Sequence, residues 1–367
     1  MSSLSRRMKA LVSPGLVDFE PYDPNFTFTK INLSANENTH EMPTSTKMAV
    51  QDALSKVKLN RYPDPMANNL RKLFAEWRQC DPGCICIGNG GDELLFNFLL
   101  AFGGQGKKLL NCPPSFSEYE LFSKITNTEV VNVWRNLDSF HVDEEAVLNA
   151  ASSVNLVILT SPNNPTGDVV SREFVSSVCE ACPGIVMVDE AYDEFAGKES
   201  SCDGLLAKHD NLIILHTLSK AFGLAGVRCG YIISSPDIID VFASVRQIYS
   251  VNALTQAVAA AVIVNKDEYQ SVCEEIKFER ERLIATFNCM RDEGCPVEVW
   301  PSESNFLLMR IPDATCVYER LRDDFSILVR DFSSTTGLEN CLRIAVGTHD
   351  ENDELIKAVR CILEGAQ

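Results

Sequence analysis

Four stretches of the 367-residue chain combine reactive or polar side chains with glycine, proline or the end of an apolar run. In the most informative one, TLSKAFGLAGVRCGY at 217–231, Ser219 and Lys220 directly follow an apolar segment and Arg228 comes eight residues later. A lysine amine can bond covalently to a carbonyl group, which makes Lys220 a candidate for covalent catalysis. A lysine at the end of a strand is also commonly a solvated charge. This stretch alone therefore leaves both interpretations open.

The other three stretches offer an anion-binding turn, a polar loop and a carboxylate. GNGGDE at 88–93 follows an apolar run, and its glycines at the start of a helix could bind an anion through backbone N–H groups. It lacks the third glycine of a dinucleotide-binding fingerprint, so a simple turn is the alternative. TSPNNPTG at 160–167 has the composition of a turn, and VDEAY at 188–192 places Asp189 at the end of an apolar run. A carboxylate held by a buried strand often has a cationic partner.

Together these stretches provide what pyridoxal 5′-phosphate (PLP) requires of a protein. PLP needs an amine for its aldehyde, an acid for its pyridinium nitrogen, donors for its phenolic oxygen and anion donors for its phosphate. The candidates, in that order, are Lys220, Asp189, Tyr192 with Asn164, and the 90–92 turn with Ser219 and Arg228. Two other classes stay open at this point: a nicotinamide-dependent dehydrogenase built on GNGGDE, and a binding module without catalytic activity.

Alternating strands and helices are predicted to position these residues. Short apolar runs predict strands at 84–87, 107–111, 129–133, 154–160, 184–188, 211–215 and 229–233, and helical patterns at 91–102, 116–126, 143–151 and 171–181 separate most of them. Strands rich in Val, Ile and Leu that alternate with helices indicate an α/β fold with a mostly parallel sheet covered on both faces. Ligands of such sheets bind at the carboxyl ends of the strands.

The pattern changes after about residue 250. A long helix is predicted at 266–293, followed by strands at 297–300, 305–310, 327–330 and 341–346, with a helix at 314–324 and a closing helix from 351. This alternation is typical of a smaller α+β domain. We therefore predict an N-terminal arm at 1–44, a large domain at 45–250 and a small C-terminal domain at 251–367.

Composition and charge exclude several classes of function. The net charge of −18 argues against a nucleic-acid partner, because binding phosphates requires clustered lysine and arginine. No apolar run is long enough to span a bilayer, and fourteen scattered cysteines in a chain of this length favour free thiols and a cytosolic location. The C-x-x-C pair Cys179 and Cys182 falls at the end of a predicted helix, where the helix dipole disfavours a thiolate. Because the five histidines are far apart, we expect no metal site.

The motifs, taken in order, resemble the fold-type-I PLP-dependent aminotransferases of classes I and II, and within them the histidinol-phosphate aminotransferase family. The resemblance runs nearly end to end through NLSANEN at 32–38, NRYPDP at 60–65, GNGGDE at 88–93, CPPSFSEY at 112–119, SPNNPTG at 161–167, VDEAY at 188–192, TLSKAFGLAGVRCGY at 217–231, SVNALTQA at 250–257, SESNFLL at 302–308, ILVRD at 327–331 and CLRIAVGT at 341–348. It implies amino transfer by a ping-pong mechanism, with histidinol phosphate and 2-oxoglutarate as substrates.

The resemblance also assigns roles to individual residues. It makes Lys220 the Schiff-base lysine, Asp189 the partner of the pyridinium nitrogen, and Asn164 and Tyr192 the partners of the phenolic oxygen. The phosphate would be held by Gly91, Asp92, Ser219 and Arg228, with Phe116 stacked on the ring. Tyr62 would reach the phosphate from a neighbouring subunit, which implies a homodimer. For the substrate, it implies Arg343 with Asn164 for the α-carboxylate, and Arg330 with Tyr22 for the phosphate.

Three departures from the family pattern leave the amino donor open. Phe116 replaces the usual tyrosine, the loop at 36–43 reads NENTHEMP where the family has NENP-x-G, and Gly91 replaces the usual serine or alanine. A threonine-phosphate decarboxylase of cobalamin synthesis and an aromatic amino acid aminotransferase are the alternatives within PLP chemistry.

Overall fold

The computed structural model describes residues 5–12, 27–197 and 199–365. In these residues the helices are α1 (Arg6–Lys9), α2 (Thr44–Ser55), α3 (Asn68–Arg78), α4 (Gly91–Phe102), α5 (Glu118–Thr126), α6 (Glu144–Ala151), α7 (Arg172–Ala181), α8 (Pro236–Val245), α9 (Ala253–Val264), α10 (Gln270–Asp292), α11 (Ala314–Phe325) and α12 (His349–Glu364). The strands are β1 (Ile31–Asn32), β2 (Ile85–Gly88), β3 (Lys108–Asn111), β4 (Glu129–Asn132), β5 (Leu156–Thr160), β6 (Ile185–Asp189), β7 (Leu212–Thr217), β8 (Gly230–Ser234), β9 (Glu298–Val299), β10 (Phe306–Arg310), β11 (Ile327–Leu328), β12 (Arg330–Asp331) and β13 (Cys341–Ala345).

A seven-stranded sheet forms the centre of the larger part of the fold. Its strand order is β2-β8-β7-β6-β5-β3-β4, and only β8 runs antiparallel to its neighbours. Every residue of β5 is buried. A strand that is covered on both faces of its sheet needs apolar side chains at successive positions, so it forms a continuous apolar run in the sequence. Val157 and Leu159 pack into one apolar cluster, whereas Leu156 and Ile158 pack into a second cluster on the opposite face. The predicted, mostly parallel α/β sheet is confirmed.

A second, four-stranded antiparallel sheet follows in the order β12-β13-β10-β9. The short strand β1 pairs in parallel with β11, with Ile31 opposite Ile327, so a segment near the start of the chain joins the C-terminal part. The two sheets fall within the ranges predicted for the large and small domains. The exact domain boundaries stay a prediction.

Helices α8 and α9 were not predicted from the sequence. The helix α9 is rich in Ala and Val on all sides and packs against α2 and α3, so it shows no polar stripe from which a helical period could be read. The helix α8 begins with Pro236, whose fixed φ suits the first turn of a helix, and buries Ile238, Ile239 and Phe242.

Two functions that the sequence argued against are a redox role for the cysteine pair and a membrane-spanning segment. Cys179 and Cys182 are both buried, and burial raises the pKa of the Cys179 thiol to about 12, which disfavours the thiolate needed for redox chemistry. Among the described residues, no helix combines the length and the apolar composition that crossing a bilayer requires.

Candidate active site

A cleft of about 680 Å³ opens at the carboxyl ends of β5, β6 and β7. Parallel strands end at the same edge of a sheet, which is why residues far apart in sequence meet here. The predicted residues that line the cleft are Gly91, Asp92, Phe116, Asn164, Asp189, Tyr192, Ser219, Lys220, Arg228, Arg330 and Arg343. A larger open groove of about 1050 Å³, beside α7, contains none of them.

Lys220 lies in the turn after β7 and points its amine into the cleft. The turn is fixed by backbone hydrogen bonds from Leu218 to the Cys229 carbonyl at 3.0 Å and from Leu224 to the Leu218 carbonyl at 3.1 Å. Lys220 Nζ donates to the carbonyl oxygen of Ala35 at 3.0 Å and lies 5.7 Å from the centre of the Tyr192 ring. The lysine is therefore part of the cleft wall and is available to a ligand there.

Asp189 is the last residue of β6 and lies at the floor of the cleft, 5% exposed. Its Oδ2 accepts the Tyr119 hydroxyl at 2.7 Å and its Oδ1 accepts the backbone N–H of Ala191 at 3.1 Å. Burial raises the pKa of Asp189 to about 6, although both hydrogen bonds oppose the rise. A buried carboxylate with a cost of ionisation is stabilised by a cation such as a pyridinium nitrogen.

Two polar side chains stand above this floor. The Tyr192 hydroxyl accepts a hydrogen bond from Asn36 Nδ2 at 3.0 Å, and Asn164 Oδ1 accepts one from Arg343 Nη1 at 2.6 Å. Both Tyr192 and Asn164 are buried, so each is held in one orientation by its partner. They can contribute a hydroxyl and an amide N–H group to an oxygen of a bound ligand.

The other end of the cleft is built to bind an anion. Helix α4 begins at Gly91 and directs its N-terminal N–H groups and the positive end of its dipole there. Arg228 adds a cation, with Nη2 at 2.8 Å from Asp92 Oδ2, and Ser219 adds a buried hydroxyl. Gly90 has φ of 84°, and a Cβ atom there would collide with the Arg228 guanidinium group. Only glycine lets the arginine approach the helix so closely.

These groups fit PLP in kind and in arrangement. The anion-binding end suits its phosphate, the amine of Lys220 its aldehyde, and the buried Asp189 its ring nitrogen. Phe116 lines the same cleft, edge-on to Tyr119 with 5.6 Å between ring centres, and offers an apolar face. The cleft thus offers a partner for the phosphate, the aldehyde and the ring nitrogen of PLP, the cofactor predicted from the sequence.

Arg330 and Arg343 come from neighbouring strands of the second sheet. Their Cα atoms are paired across β12 and β13, so both side chains emerge on one face. Both guanidinium groups lie near the Phe332 ring, at 5.9 and 5.6 Å from its centre, and Arg343 Nη2 donates to the Ser34 carbonyl at 2.6 Å. The cleft therefore has a second cationic region.

Of the predicted residues that the structure describes, Tyr62 does not line the cleft. Tyr62 is 80% exposed and stacks on Tyr249, with 4.4 Å between ring centres. Tyr22 lies outside the described residues. Sequence reasoning also passed over Tyr119 and Thr160, which occur in the quoted motifs but had no assigned role. Their contact with Asp189 depends on folding and has no local signal.

Behind the site lies a cluster of charged side chains that are close enough together to hold a metal ion. Glu190, Asp203 and His216 bring their polar atoms within 4.8 Å of one another. Burial and Arg78 oppose protonation of His216, yet Asp193 and Asp203 raise its pKa to about 10. Arg78 also forms ion pairs with Asp193 at 3.6 Å and Asp203 at 3.0 Å. The cluster is an ion-pair network that ties the turn after β6 to α3.

Comparison with known proteins gives relatives over the whole length. The sequence profile of the aminotransferase class I and II family matches residues 29–359. Over 349 residues, 94% of this chain and 96% of the relative, the chain is 37% identical to the histidinol-phosphate aminotransferase of Caldanaerobacter subterraneus subsp. tengcongensis. Its fold is similar to the crystal structure of histidinol-phosphate aminotransferase from Sinorhizobium meliloti in complex with PLP, with a TM-score of 0.87, 25% identity and 100% coverage of both chains. The L-threonine-O-3-phosphate decarboxylase of Porphyromonas gingivalis is also similar, with a TM-score of 0.79, 25% identity and coverage of 91% and 99%.

Proposed function

Because the chain belongs to the aminotransferase class I and II family, we propose that it transfers the amino group of histidinol phosphate to 2-oxoglutarate. The predicted family, enzyme class and PLP cofactor are confirmed. The substrate is the proposal, supported by full-length relatives that carry the histidinol-phosphate aminotransferase name. The observation that carries it is the paired arginines of the cleft.

Arg330 and Arg343 explain why a phosphorylated donor suits this cleft. Both guanidinium groups line the cleft, and an arginine binds an anionic group such as a phosphate or a carboxylate through charge-assisted hydrogen bonds. Histidinol phosphate has a phosphate but no carboxylate, whereas glutamate and 2-oxoglutarate have two carboxylates. We assign the phosphate of the donor to Arg330, and the α-carboxylate of the second substrate to Arg343, whose planar fork can bind it in a bidentate manner.

The cofactor residues act as a set. We assign the phosphate of PLP to the α4 N-terminus at Gly91 and Asp92, with Ser219 and Arg228, and the ring to Asp189 below. Phe116 would cover one ring face, and Tyr192 and Asn164 would bind the phenolic oxygen. When bound, PLP supplies an electron sink for the bonds of the substrate α-carbon.

The protein residues provide positioning and proton transfer around this electron sink. Lys220 would hold the cofactor through its amine. Once the amine of the amino donor has taken its place, the freed Lys220 amine could carry the proton from the substrate α-carbon to the cofactor carbon that had been bound to Lys220. Asp189, when ionised, would keep the ring nitrogen protonated. After water has released the keto product, the same cleft would accept 2-oxoglutarate as the second substrate.

The reaction is tested by supplying the enzyme with histidinol phosphate and 2-oxoglutarate and measuring glutamate. We expect glutamate only when both substrates are present, and no product from a Lys220→Ala variant. Threonine phosphate, supplied in parallel, tests the decarboxylase alternative that the similarity to the Porphyromonas gingivalis enzyme raises. Release of carbon dioxide from threonine phosphate without amino transfer would refute the proposal.

The role of Arg330 is tested with phosphorylated and unphosphorylated donors. Arg330→Ala should raise KM for histidinol phosphate by about 10- to 100-fold, the loss of one charge-assisted interaction, and change KM for an aromatic amino acid little. Arg310→Ala is the matched control, because Arg310 lies on β10 but contacts Trp300, away from the cleft. Equal losses for both classes of donor would show that Arg330 does not recognise the phosphate.

We also propose a homodimer in which Tyr62 completes the phosphate site of the partner subunit. Tyr62 and Tyr249, which stack on each other, are exposed, and so are Leu59 and Ile248, which lie near them in the sequence. A second copy of the chain would cover such apolar side chains. Mixed dimers of a Lys220→Ala subunit and a Tyr62→Ala subunit test this, because one of their two sites has both native residues. Activity of the mixed dimers above that of either variant alone supports the proposal. No gain in activity over the variants would place Tyr62 outside the partner's site.

A cytosolic location accompanies the proposal. It is supported by the scattered cysteines of the sequence, which suit a reducing compartment.

A further inference from the structure

Tyr119 is a buried tyrosine whose hydroxyl ends at the floor of the cleft. The residue is 1% exposed, its hydroxyl donates to Asp189 Oδ2 at 2.7 Å, and it lies 2.8 Å from Thr160 Oγ1. A phenol has one hydrogen, and Asp189 takes it. Thr160 must therefore donate to the phenol oxygen, which gives a chain of hydrogen bonds from Thr160 through Tyr119 to Asp189.

The fold places these three groups with precision. Thr160 and Asp189 are paired across β5 and β6, and α5 carries Tyr119 back against the ends of both strands. Hydrogen bonds to an ionised acceptor are roughly twice as strong as neutral ones, and bonds in series polarise one another. The chain therefore favours the ionised form of Asp189 at a position where burial disfavours it.

We propose that Tyr119, supported by Thr160, is a positioning residue that keeps Asp189 ionised and so keeps the ring nitrogen of the bound cofactor protonated. The proposal rests on the proposed function, since it concerns the cofactor. Tyr119 does not touch the reacting atoms and acts through Asp189 alone.

The other charges near Asp189 do not replace this contact. Asp92, on α4, raises the pKa of Asp189, and His216, on β7, lowers it from a distance without a hydrogen bond. Lys220 and Tyr192 line the same cleft. Among the described side chains, the one that hydrogen-bonds the Asp189 carboxylate is Tyr119. Removing its hydroxyl should therefore raise the pKa of Asp189 further.

The affinity for PLP as a function of pH separates this role from simple core packing. The cofactor-depleted enzyme is titrated with PLP from about pH 5 to about pH 9, with the visible band of the bound cofactor as signal. The affinity should fall on acidification, as Asp189 becomes protonated. In Tyr119→Phe, the midpoint of this fall should lie about 1 to 2 pH units higher than in the wild type, the equivalent of one lost charge-assisted hydrogen bond. Near pH 9 its affinity should approach that of the wild type, whereas a packing defect would weaken binding equally at every pH.

Two variants serve as comparisons. Thr160→Val keeps the volume but removes the donor to the phenol, so it should shift the midpoint in the same direction by less. Tyr231→Phe is the matched control, because Tyr231 is also fully buried but its hydroxyl accepts from Arg78 Nε at 2.8 Å and does not contact Asp189. It should leave the midpoint unchanged. If Tyr119→Phe does not fold, Thr160→Val decides.

A PLP analogue with carbon in place of the ring nitrogen completes the test. The analogue has no ring nitrogen for Asp189 to keep protonated, so Tyr119→Phe should change the affinity for the analogue little at any pH. The proposal is overturned if the wild type and Tyr119→Phe share one midpoint, or if the variant loses equally on PLP and the analogue. A wild type that binds no PLP would instead refute the proposed function, so the two failures are distinct.

Discussion

Replacing Asp189 by asparagine should stabilise the cofactor-depleted protein while weakening its hold on PLP. Burial raises the pKa of Asp189 from 3.8 to about 6, so the folded protein holds the carboxyl proton more tightly than the unfolded chain does. The stability that this proton provides is complete below pH 3.8 and is lost as pH rises to about 6. Each pH unit is worth about 1.4 kcal/mol, so ionised Asp189 costs the wild type roughly 3 kcal/mol at neutral pH.

Asparagine avoids this cost without leaving a polar group unpaired. Its amide N–H can donate to the Tyr119 oxygen, and its amide oxygen can accept from the backbone N–H of Ala191. Tyr119 can then donate to Thr160, because either hydroxyl of that pair can be the donor. The advantage of Asp189→Asn in free energy of unfolding should therefore grow by roughly 3 kcal/mol between about pH 4 and about pH 7. PLP should bind it less tightly than the wild type.

Urea unfolding of both cofactor-depleted proteins at several pH values, followed by circular dichroism, measures the difference. Asp193→Asn is a control of opposite sign: although burial opposes it, His216 and Arg78 hold the pKa of Asp193 below its usual range. Asp193→Asn should therefore be less stable than the wild type, by an amount that stays nearly constant above about pH 4. A difference between Asp189→Asn and the wild type that is the same at every pH would refute the reasoning.

Two further predictions concern the anion-binding groups. Gly90→Ala should cost on the order of 1 kcal/mol in backbone strain, because φ is 84°. It should also weaken PLP binding, because the added Cβ atom displaces Arg228. Gly106→Ala is the control, since Gly106 has φ of 80° but open space around it, and should show the strain alone. Thermal unfolding with and without PLP separates the two effects, and equal behaviour of both variants toward PLP would contradict the role of Gly90. Arg343→Lys should raise KM for glutamate by about 10- to 100-fold with little effect on PLP affinity, since lysine cannot bind a carboxylate through two parallel hydrogen bonds. Steady-state kinetics tests this, and an unchanged KM would assign the carboxylate elsewhere.

Local patterns were sufficient to predict the parts of the site that sit at strand ends. Lys220 and Asp189 follow apolar runs, and because parallel strands end at a common edge, their meeting could be predicted without any contact information. The helical start at Gly91 was equally visible, since β2 and α4 are separated only by a glycine-rich turn.

Contacts that depend on register or on distant chain segments could not be predicted in this way. The pairing of Arg330 with Arg343 depends on how β12 aligns with β13, and the contact between Tyr119 and Asp189 joins residues 70 positions apart. Helix α9 was missed because it is apolar on nearly all sides. The resemblance to known enzymes supplied the roles of Arg330 and Arg343, which the residues alone did not indicate.

The identity of the lysine that binds PLP tests the account most directly. The PLP-loaded enzyme is reduced with borohydride, which fixes the cofactor to its lysine, and is then digested with trypsin and analysed by mass spectrometry. Because a modified lysine resists trypsin, the account predicts the pyridoxyl phosphate group on a single peptide, 209–228, that contains an uncut Lys220. Cofactor on a different lysine, or no modified peptide from an enzyme that transfers amino groups, would contradict it.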